Sequence, residues 1–506
     1  MRIVTAAVAA LTLAALAVPV ATVAPPRPPA IDGVWRTDGY GALLVLGRET
    51  LREYQTTSVS CLAGGSARRT GPGAYTTHDG TVLTVRTDRD QDHARLAADS
   101  SVGHRQLTRV PALPAGCTRP APEDPRAGFD ALWQTFEENY PFFARKDVDW
   151  HAVRDRYRPQ VHHDTTGPEL FGIFSRMLRP LYDIHVAVED GDRDFSGVRP
   201  GTEAPSDELD ARTKDFIEAR DLRDATHRQD FAAGLITYAD LRGDLGYLRI
   251  SAFEHFAGDD APPSADRAEL DRVLDTVLTP SRTRRLKGLI IDLRVNDGGS
   301  DALGIRVAQR LTDTPYTAYT KRARNDPADP TRHTRPEPVP VVPADTPRYT
   351  GPVAVLTGGS TVSAGETFTQ ALFDRPGRTV RIGQPTQGVF SDTMTRRLPD
   401  GMRFTLPNEE YLTRTGRTFD GTGIPPHLTE PVFTEEEFAK NRDSAFDRAV
   451  TFLRDPPDPR QSTGQVCVGA LSCMEWSMST RVTFLRDPAD PRQSTGQVCT
   501  GALRCM

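Results

Sequence analysis

The chain has 506 residues and a formal net charge of −6 at pH 7, with 38% hydrophobic and 26% charged residues. This length leaves room for two or three domains and a large core. The slightly acidic balance, with no basic stretch and no zinc-ligand spacing, argues against a protein that binds nucleic acid. The sequence contains no nucleotide or metal motif, so we predict no cofactor and no metal site.

The first residues have the pattern of an export signal. Arg2 supplies a positive charge, an apolar stretch runs from Ile3 to about Ala24, and Ala21 or Ala24 offers a small-residue cleavage site. The stretch is nearly long enough to span a bilayer, so an uncleaved anchor is the alternative. We therefore expect an exported protein, secreted or anchored at the outer face of the cell membrane, with no other membrane span.

The cysteines fit export. In an oxidising compartment closely spaced cysteines usually form disulfides, and the Cys-x5-Cys spacing without a nearby His argues against a metal site. Cys61 and Cys117 lie in the N-terminal region, where they would staple it. The other four form two closely spaced pairs near the C-terminus, and their pairing stays open: Cys467, Cys473, Cys499 and Cys505.

The chain divides into five predicted regions. Short alternating apolar runs predict a small antiparallel β-barrel or sandwich, and apolar residues at helical spacing predict a helical cap region. Continuous apolar strands that alternate with helices predict an α/β core with a largely parallel sheet. The tail contains two near-identical copies of one segment, and we assign it no catalysis. The regions are 1–30 (signal and Pro-rich joint), 31–118 (β domain), 126–232 (helical region with His185), 233–449 (α/β core with Ser363) and 450–506 (duplicated tail).

A strand-to-helix junction at Ser363 is the strongest functional signal in a single segment. The apolar run Val353–Leu356 stops at two glycines and small hydroxyl residues, and a helical pattern restarts after Ser363. Such a turn exposes a side chain beside free backbone N–H groups and the positive end of a helix dipole. These conditions suit a nucleophile whose reaction generates an oxyanion. An ordinary serine N-cap would leave the same pattern.

A serine hydrolase also requires a base, an acid that orients the base, and backbone donors for the oxyanion. A strand ending at Leu293 runs into paired glycines, Gly298 and Gly299, where backbone N–H groups can approach a ligand. His185 lies where a helix gives way to a strand, and Asp420 begins a glycine turn, which Asp favours anyway. Each of these has an ordinary structural explanation, so we interpret them only as a set.

Five short blocks in a fixed order carry a family resemblance: Leu181-x-Asp-x-His-Val186, Asp292–Gly299, Ser363–Glu366, Gly383–Gly388 and Gly423–Pro426. With these blocks, the body of the chain resembles the tail-specific (C-terminal processing) and tricorn-core family of serine peptidases. The resemblance runs from about Phe129 to Pro431. It implies a crotonase/ClpP-like α/β fold with the nucleophile at a helix N-terminus.

Two departures from the family pattern select the mechanism that the resemblance implies. Bacterial processing proteases of this family usually place a Lys base directly after the Gly-x-x-Thr-x-Gly block. Val389 stands there in this chain, which excludes a Ser–Lys dyad at that site. The tricorn-like branch uses a Ser and a His oriented through polar groups that include a late Glu. Ser363 and His185 match that branch, and Asp420, one methylene shorter, stands in place of the Glu.

The resemblance implies acyl transfer to Ser363, with His185 as general base and Asp420 as the acid that orients the imidazole. The oxyanion hole would consist of the N–H of Ala364 with that of Gly298 or Gly299. Because the segment after His185 lacks a Gly-Leu-Gly carboxylate-binding loop, we predict no PDZ domain. The residues assigned to substrate-binding or supporting roles are Asp183, Asn296 and Glu366.

We therefore expect a serine endopeptidase that acts on a peptide or protein substrate. The alternative is a catalytically weak or inactive peptide-binding protein of the same fold, which the Asp420 substitution keeps open. An α/β-hydrolase esterase fits poorly, because Thr361 stands where that fold requires Gly and because His185 precedes the serine.

Overall fold

The structure is a computed structural model that describes residues 31–454, together with the backbone of two short paired strands at 463–467 and 473–477. The predicted signal segment, residues 1–30, and the greater part of the predicted tail lie outside the described residues. Within the part of the chain that is described, no helix is both long and apolar enough to cross a bilayer.

The N-terminal region is a closed eight-stranded antiparallel barrel, which confirms the predicted small β domain. The first and last strands close it, with Val34 opposite Val110. The interior of the barrel contains the fully buried side chains of Trp35, Tyr75 and Leu107. The residues that alternate along each strand therefore point alternately into the barrel and outward. The strands are β1 (Gly33–Thr37), β2 (Ala42–Leu46), β3 (Thr50–Thr56), β4 (Cys61–Gly71), β5 (Ala74–Thr76), β6 (Val82–Thr87), β7 (His93–Ala98) and β8 (Arg105–Val110).

A disulfide joins Cys61, at the start of β4, to Cys117, in the 3-10 turn that follows the barrel. It confirms the predicted staple. Because it closes a loop between cysteines 56 positions apart, it restricts the unfolded chain across most of the barrel.

Three helices follow: α1 (Pro125–Asn139), α2 (Trp150–Tyr157) and α3 (Gly167–Leu178). The Asp124 side chain caps α1, which has Pro at its first position, and a capping box of Thr166 and Glu169 begins α3. Phe129 and Phe136 on α1 are fully buried, so these aromatic side chains belong to the core of the helical region.

The remaining elements form the α/β core and several small sheets, the last of which is a pair of strands at 463–467 and 473–477. The strands are β9 (Ala187–Asp190), β10 (Arg193–Phe195), β11 (Thr226–Phe231), β12 (Ile236–Leu241), β13 (Leu245–Ile250), β14 (Gly288–Asp292), β15 (Val295–Asn296), β16 (Tyr316–Ala323), β17 (Glu337–Val341), β18 (Val353–Thr357), β19 (Ser360–Thr361), β20 (Thr379–Gly383), β21 (Thr393–Arg397), β22 (Arg403–Pro407), β23 (Glu409–Leu412), β24 (Leu428–Thr429), β25 (Thr463–Cys467) and β26 (Cys473–Ser477). The helices are α4 (Asp207–Arg220), α5 (Pro263–Val277), α6 (Pro280–Arg285), α7 (Asp301–Gln309), α8 (Ala364–Ala371), α9 (Glu435–Ala439) and α10 (Ser444–Arg454).

The core is a seven-stranded sheet in the order β11-β12-β13-β14-β18-β20-β24. The first three strands pair antiparallel and the rest parallel, as the sequence predicts. Helices cover both faces, because alternate residues of one strand pack on opposite sides. Ile290 of β14 lies in the cluster that contains Phe446 of α10, whereas Ile291 packs with Phe368 of α8. Burial on both sides explains the continuous apolar strands.

Strand β9 brings the segment of His185 to the core. It pairs antiparallel with β22, with Thr405 opposite Ala187, in a sheet of order β10-β9-β22-β21. The region 126–232 therefore contains strands that belong to sheets of the later region. Strand β11 likewise pairs with β12, so the main sheet begins before residue 233.

Candidate active site

Ser363 is the N-cap residue of α8, reached from β18 through a tight turn. Its φ of +51° and ψ of −118° are uncommon for a residue with a side chain and indicate a backbone held by its surroundings. Its N–H donates to the carbonyl of Val389 at 3.0 Å, and its own carbonyl accepts the N–H of Glu366 at 2.8 Å. The side chain of Ser363 is partly exposed in an otherwise buried turn.

The paired glycines face this serine. Strand β15 pairs in parallel with β19, which holds the glycine loop beside the turn that carries Ser363. A methyl group at Gly298 would lie 2.6 Å from Ser363 Cβ, 3.2 Å from its Oγ and 3.4 Å from the nitrogen of Ala364. Only glycine fits this contact. The structure thus brings together three of the predicted site residues: Ser363, Ala364 and Gly298.

The two glycines offer their N–H groups differently. The Gly298 N–H donates to Asn296 Oδ1 at 3.1 Å. Gly299 forms a parallel bridge with Phe253 that uses the Gly298 carbonyl and the Ser300 N–H, so the Gly299 N–H takes no part in it. At the first position of α8, the Ala364 N–H also has no partner within the helix.

The side chain of Asn296 joins the glycine loop to β13 and contacts α8. Its Nδ2 donates to the carbonyl of Ile250 at 2.8 Å, and a methyl group at Gly365 would lie 2.4 Å from its Oδ1. The side chain is fully buried. Asn296 therefore positions Gly298 relative to α8.

A buried ion-pair network anchors the start of the same loop. Arg294 is 0% exposed at its side chain and contacts Asp292 and Asp443, each at 2.6 Å. Its guanidinium lies 4.1 Å from the ring centre of Phe433, and Tyr247 donates to Asp292 at 2.7 Å. These contacts tie the end of β14 to the beginning of α10.

Glu366 fastens the segment after β20 onto α8. Its Oε1 accepts the Gly388 N–H at 2.7 Å and the Thr386 hydroxyl at 2.5 Å, and its Oε2 accepts the Val389 N–H at 2.7 Å. The side chain is fully buried. Since the carbonyl of Val389 accepts the N–H of Ser363, Glu366 supports the turn that carries Ser363.

We expect Glu366→Gln to change how stability depends on pH. Burial raises the pKa of Glu366 to about 7 from an ordinary 4.5, although its three donors act to lower it. The folded protein then holds a proton that the unfolded chain releases between pH 4.5 and about 7, so this group makes the free energy of unfolding fall as pH rises through that window. Urea unfolding at pH 5 and pH 8 should show a weaker fall for the Gln variant. Equal falls in wild type and variant would contradict the assignment.

His185 lies in the turn before β9. Its N–H donates to Asp183 Oδ1 at 3.0 Å, and its carbonyl accepts the Thr405 hydroxyl at 2.9 Å. The ring atom Nδ1 is buried without a hydrogen-bond partner in the structure. Burial lowers the pKa of His185 below 6.5, against the opposing charges of Asp183 and Asp392, so the neutral imidazole that a base requires is favoured at neutral pH.

Asp183 is buried beneath this turn. The Tyr140 hydroxyl donates to its Oδ2 at 3.4 Å, and Lys146 Nζ lies 4.0 Å from the same oxygen. Because Asp183 binds the backbone N–H of His185 rather than the ring, it is a local cap of the turn. Its charge nevertheless acts on the imidazole.

Asp420 is buried near Asp183 and bonds to groups other than the histidine. Its Oδ1 accepts the Phe390 N–H at 3.3 Å and its Oδ2 accepts the Thr418 hydroxyl at 2.5 Å. Burial is the main cause that raises the pKa of Asp420 well above its ordinary value, and the negative charge of Asp183 raises it further. Within residues 31–454 no hydrogen bond joins Asp420 to His185, so its orienting role stays a prediction.

The segment 389–392 links these separate groups. The carbonyl of Val389 accepts the N–H of Ser363, and the N–H of Phe390 donates to Asp420. The negative charge of Asp392 acts to raise the pKa of His185, against the effect of burial. One short segment therefore contacts or acts on each predicted catalytic residue.

Asp392 is the functional candidate that the sequence did not suggest. It accepts the Ser101 hydroxyl of the barrel at 2.8 Å and lies 3.5 Å from Lys321 Nζ. Lys321 is buried and also contacts Glu409 at 3.1 Å. No motif marks Asp392, because its relation to the histidine arises only from sheet pairing and from the packing of the barrel.

Two family models match parts of this chain. Residues 244–429 match the model of peptidase family S41, and residues 121–179 match that of the tricorn protease C1 domain. The first match contains the glycine loop, Ser363 and Asp420, and His185 lies just outside the second.

The proteins that are similar to this chain include a curated relative and a solved structure. A carboxy-terminal-processing protease from Bartonella bacilliformis is 27% identical over 191 residues, which are 37% of this chain and 39% of that protein. The chain thus spans about two fifths of the length of the curated relative it matches. A crystal structure of a provisionally named peptidase from Parabacteroides merdae is 26% identical, with a TM-score of 0.54, and covers 66% of this chain and 97% of that one. These matches confirm the resemblance and the fold class predicted from the five sequence blocks.

Proposed function

We propose that this chain is an exported serine peptidase that forms an acyl-enzyme on Ser363, with His185 as general base. The match of residues 244–429 to the model of peptidase family S41 supports the proposal. The observation that carries the proposal is the packing of Ser363 against Gly298. This contact sets the hydroxyl beside the N–H of Ala364 at the start of α8, as an oxyanion-forming reaction requires.

The reaction proceeds in two halves. His185 removes the hydroxyl proton as Ser363 Oγ attacks the peptide carbonyl, and it then delivers that proton to the leaving amine. The carbonyl oxygen carries the negative charge between these steps, and the N–H groups of Ala364 and Gly299 donate to it, because the Gly298 N–H already donates to Asn296. Water then attacks the acyl carbon while His185 takes a proton of that water. The bond between the acyl carbon and Ser363 Oγ breaks, His185 returns the proton to Oγ, and the acid product leaves.

The charge on the imidazole requires acidic neighbours. Asp183 and Asp392 both act on the pKa of His185, and both are proposed to stabilise its protonated form. Asp420 is proposed to orient the imidazole from its position near Asp183 and not through its charge, because burial raises its pKa well above the ordinary value and its own hydrogen bonds go to Thr418 and Phe390.

We also propose export. The charged and apolar N-terminal pattern supports it, and so does the disulfide between Cys61 and Cys117, since such bonds persist in oxidising compartments. Peptides or proteins are the proposed substrates.

One observation favours a second candidate, a peptide-binding protein of the same fold without turnover. The Nδ1 atom of His185 is buried without a partner, whereas a catalytic histidine is usually oriented by an acid at that atom. The two candidates differ in the reactivity of Ser363.

A fluorophosphonate probe separates the two functions. We expect it to label the wild-type protein covalently and to leave Ser363→Ala unlabelled, because the probe reacts with activated serines. Ser360→Ala is the matched control: Ser360 lies three residues earlier, and its hydroxyl donates to the carbonyl of Glu203 at 2.9 Å. This variant should be labelled like wild type. Folded wild-type protein that stays unlabelled would reject the peptidase and favour the binding protein.

A further inference from the structure

A cleft of about 1020 Å³ lies between the barrel and the catalytic core, and we call it the barrel cleft. Three walls enclose it. The barrel contributes residues 78–81 and 99–102, the loop after β13 contributes residues 254–267, and the glycine loop with α7 contributes residues 299–309. Its size suits several residues of an extended peptide.

The barrel cleft begins at the candidate oxyanion loop. Gly299 and Ser300 form its inner end, and a methyl group at Gly299 would lie 3.0 Å from Glu254 Cβ. The Ser300 hydroxyl donates to the carbonyl of Ser100 at 2.5 Å, which fixes the barrel wall against this end. The barrel cleft therefore shares the glycine loop with the site of Ser363, because Gly299 lines the cleft and Gly298 contacts Ser363.

The positive charges that line the cleft are already paired. Arg267 contacts Asp99 at 3.2 Å, and Arg306 forms an ion pair with Asp271, which is not in the lining. The cleft keeps an excess of carboxylates. Those in its lining are Asp79, Asp99, Glu254, Asp259, Asp260 and Asp266.

Several of these carboxylates are occupied, but Glu254 is available. Asp266 accepts the N–H groups of His255 and Ala257, at 3.0 and 2.9 Å. The Glu254 side chain is 43% exposed, and its one ion-pair contact within the described residues is with the ring of His255, whose Nε2 lies 3.9 Å away. The pKa of Asp297 is raised to about 6, first by the burial of its own carboxyl group and next by the negative charge of Glu254. Unneutralised negative charge thus lies at the catalytic end of the cleft.

We propose that the barrel cleft binds the substrate chain and that Glu254 pairs with a lysine or arginine side chain of that substrate near the scissile bond. This inference rests on the proposed function and adds a substrate class to it: peptides with a basic residue at one fixed position. It also gives the barrel a role, since its loops 78–81 and 99–102 form one wall of the binding site.

Binding to the Ser363→Ala protein tests the proposal without turnover. The probes are fluorescent octapeptides in which arginine, or its uncharged isostere citrulline, occupies one position at a time. We expect arginine to bind about tenfold more tightly than citrulline at one position, which is the size of one charge-assisted contact. This preference should shrink at high salt, because the cleft is open to solvent.

Two variants in the same background locate the contact. Glu254→Gln should reduce the arginine preference to less than about twofold, and Ala302→Phe, which narrows the cleft on α7, should weaken both peptides. Glu49→Gln, on an exposed turn of the barrel, is the control and should change neither. A preference that survives Glu254→Gln overturns the proposal, and so does the lack of any preference or binding at every position. Hydrolysis of peptides without charge preference would overturn this inference alone, whereas failed probe labelling with a retained preference would overturn only the peptidase.

Discussion

Replacing His185 with alanine is expected to lower kcat/KM for peptide hydrolysis by a factor of about 10⁴ to 10⁶. Without the imidazole, the Ser363 hydroxyl has no group to take its proton. The variant should fold, because the turn is held by the backbone of His185, whose N–H binds Asp183 and whose carbonyl binds Thr405. His151→Ala, at an exposed position on α2, is the matched control and should keep wild-type activity.

The pH profile of the wild type provides an independent check on the base. Since burial lowers the pKa of His185 below 6.5, kcat/KM should rise with pH on an acidic limb below 6.5 and then stay level through neutral pH. A limb that rises only above pH 8 would indicate a lysine or another base. Full activity of His185→Ala would refute the assignment directly.

Replacing Arg294 with methionine is expected to lower the free energy of unfolding by about 3–5 kcal/mol. Methionine keeps much of the side-chain volume but leaves Asp292 and Asp443 buried without the cation that both contact at 2.6 Å. Arg294→Lys should recover only part of the loss, because an ammonium cannot form two bidentate contacts at once.

Urea unfolding measures this loss, and an exposed arginine calibrates it. Arg414 has a side chain that is 83% exposed, and its nearest carboxylate, Asp374, is 3.8 Å away. Arg414→Met should therefore change stability by less than about 0.5 kcal/mol. Equal losses for the two variants would mean that the network at Arg294 contributes nothing beyond a surface pair.

Local pattern predicted the central strands closely. The apolar run Val353–Leu356 is a strand that extends one residue further, to Thr357, and the strand predicted to end at Leu293 ends one residue earlier, at Asp292. A short continuous run of apolar residues is typical of a strand that is buried on both faces of a sheet, so such strands can be assigned from the sequence. The junction at Ser363 was predictable for a similar reason, because glycines and small hydroxyl residues mark the place where a strand turns into a helix.

The surroundings of the histidine were not predictable in the same way. Asp420 was expected beside His185, yet its hydrogen bonds go to Thr418 and Phe390, while Asp392 acts on the imidazole. The position of Asp392, directly before β21, depends on the pairing of β21 with β22 and of β22 with β9. The second pairing joins residues more than 200 positions apart. Spacing along the chain carries no information about such contacts.

The pairing of β9 with β22 has a consequence for the newly made chain. Ser363 and its glycine loop precede β22 in the sequence, and the turn of His185 is docked only when Thr405 and its strand have formed. As the chain is made from its N-terminus, the turn of Ser363 is therefore complete before the turn of His185 has a fixed position. Under the proposed mechanism, Ser363 would lack a positioned base until that strand closes the sheet.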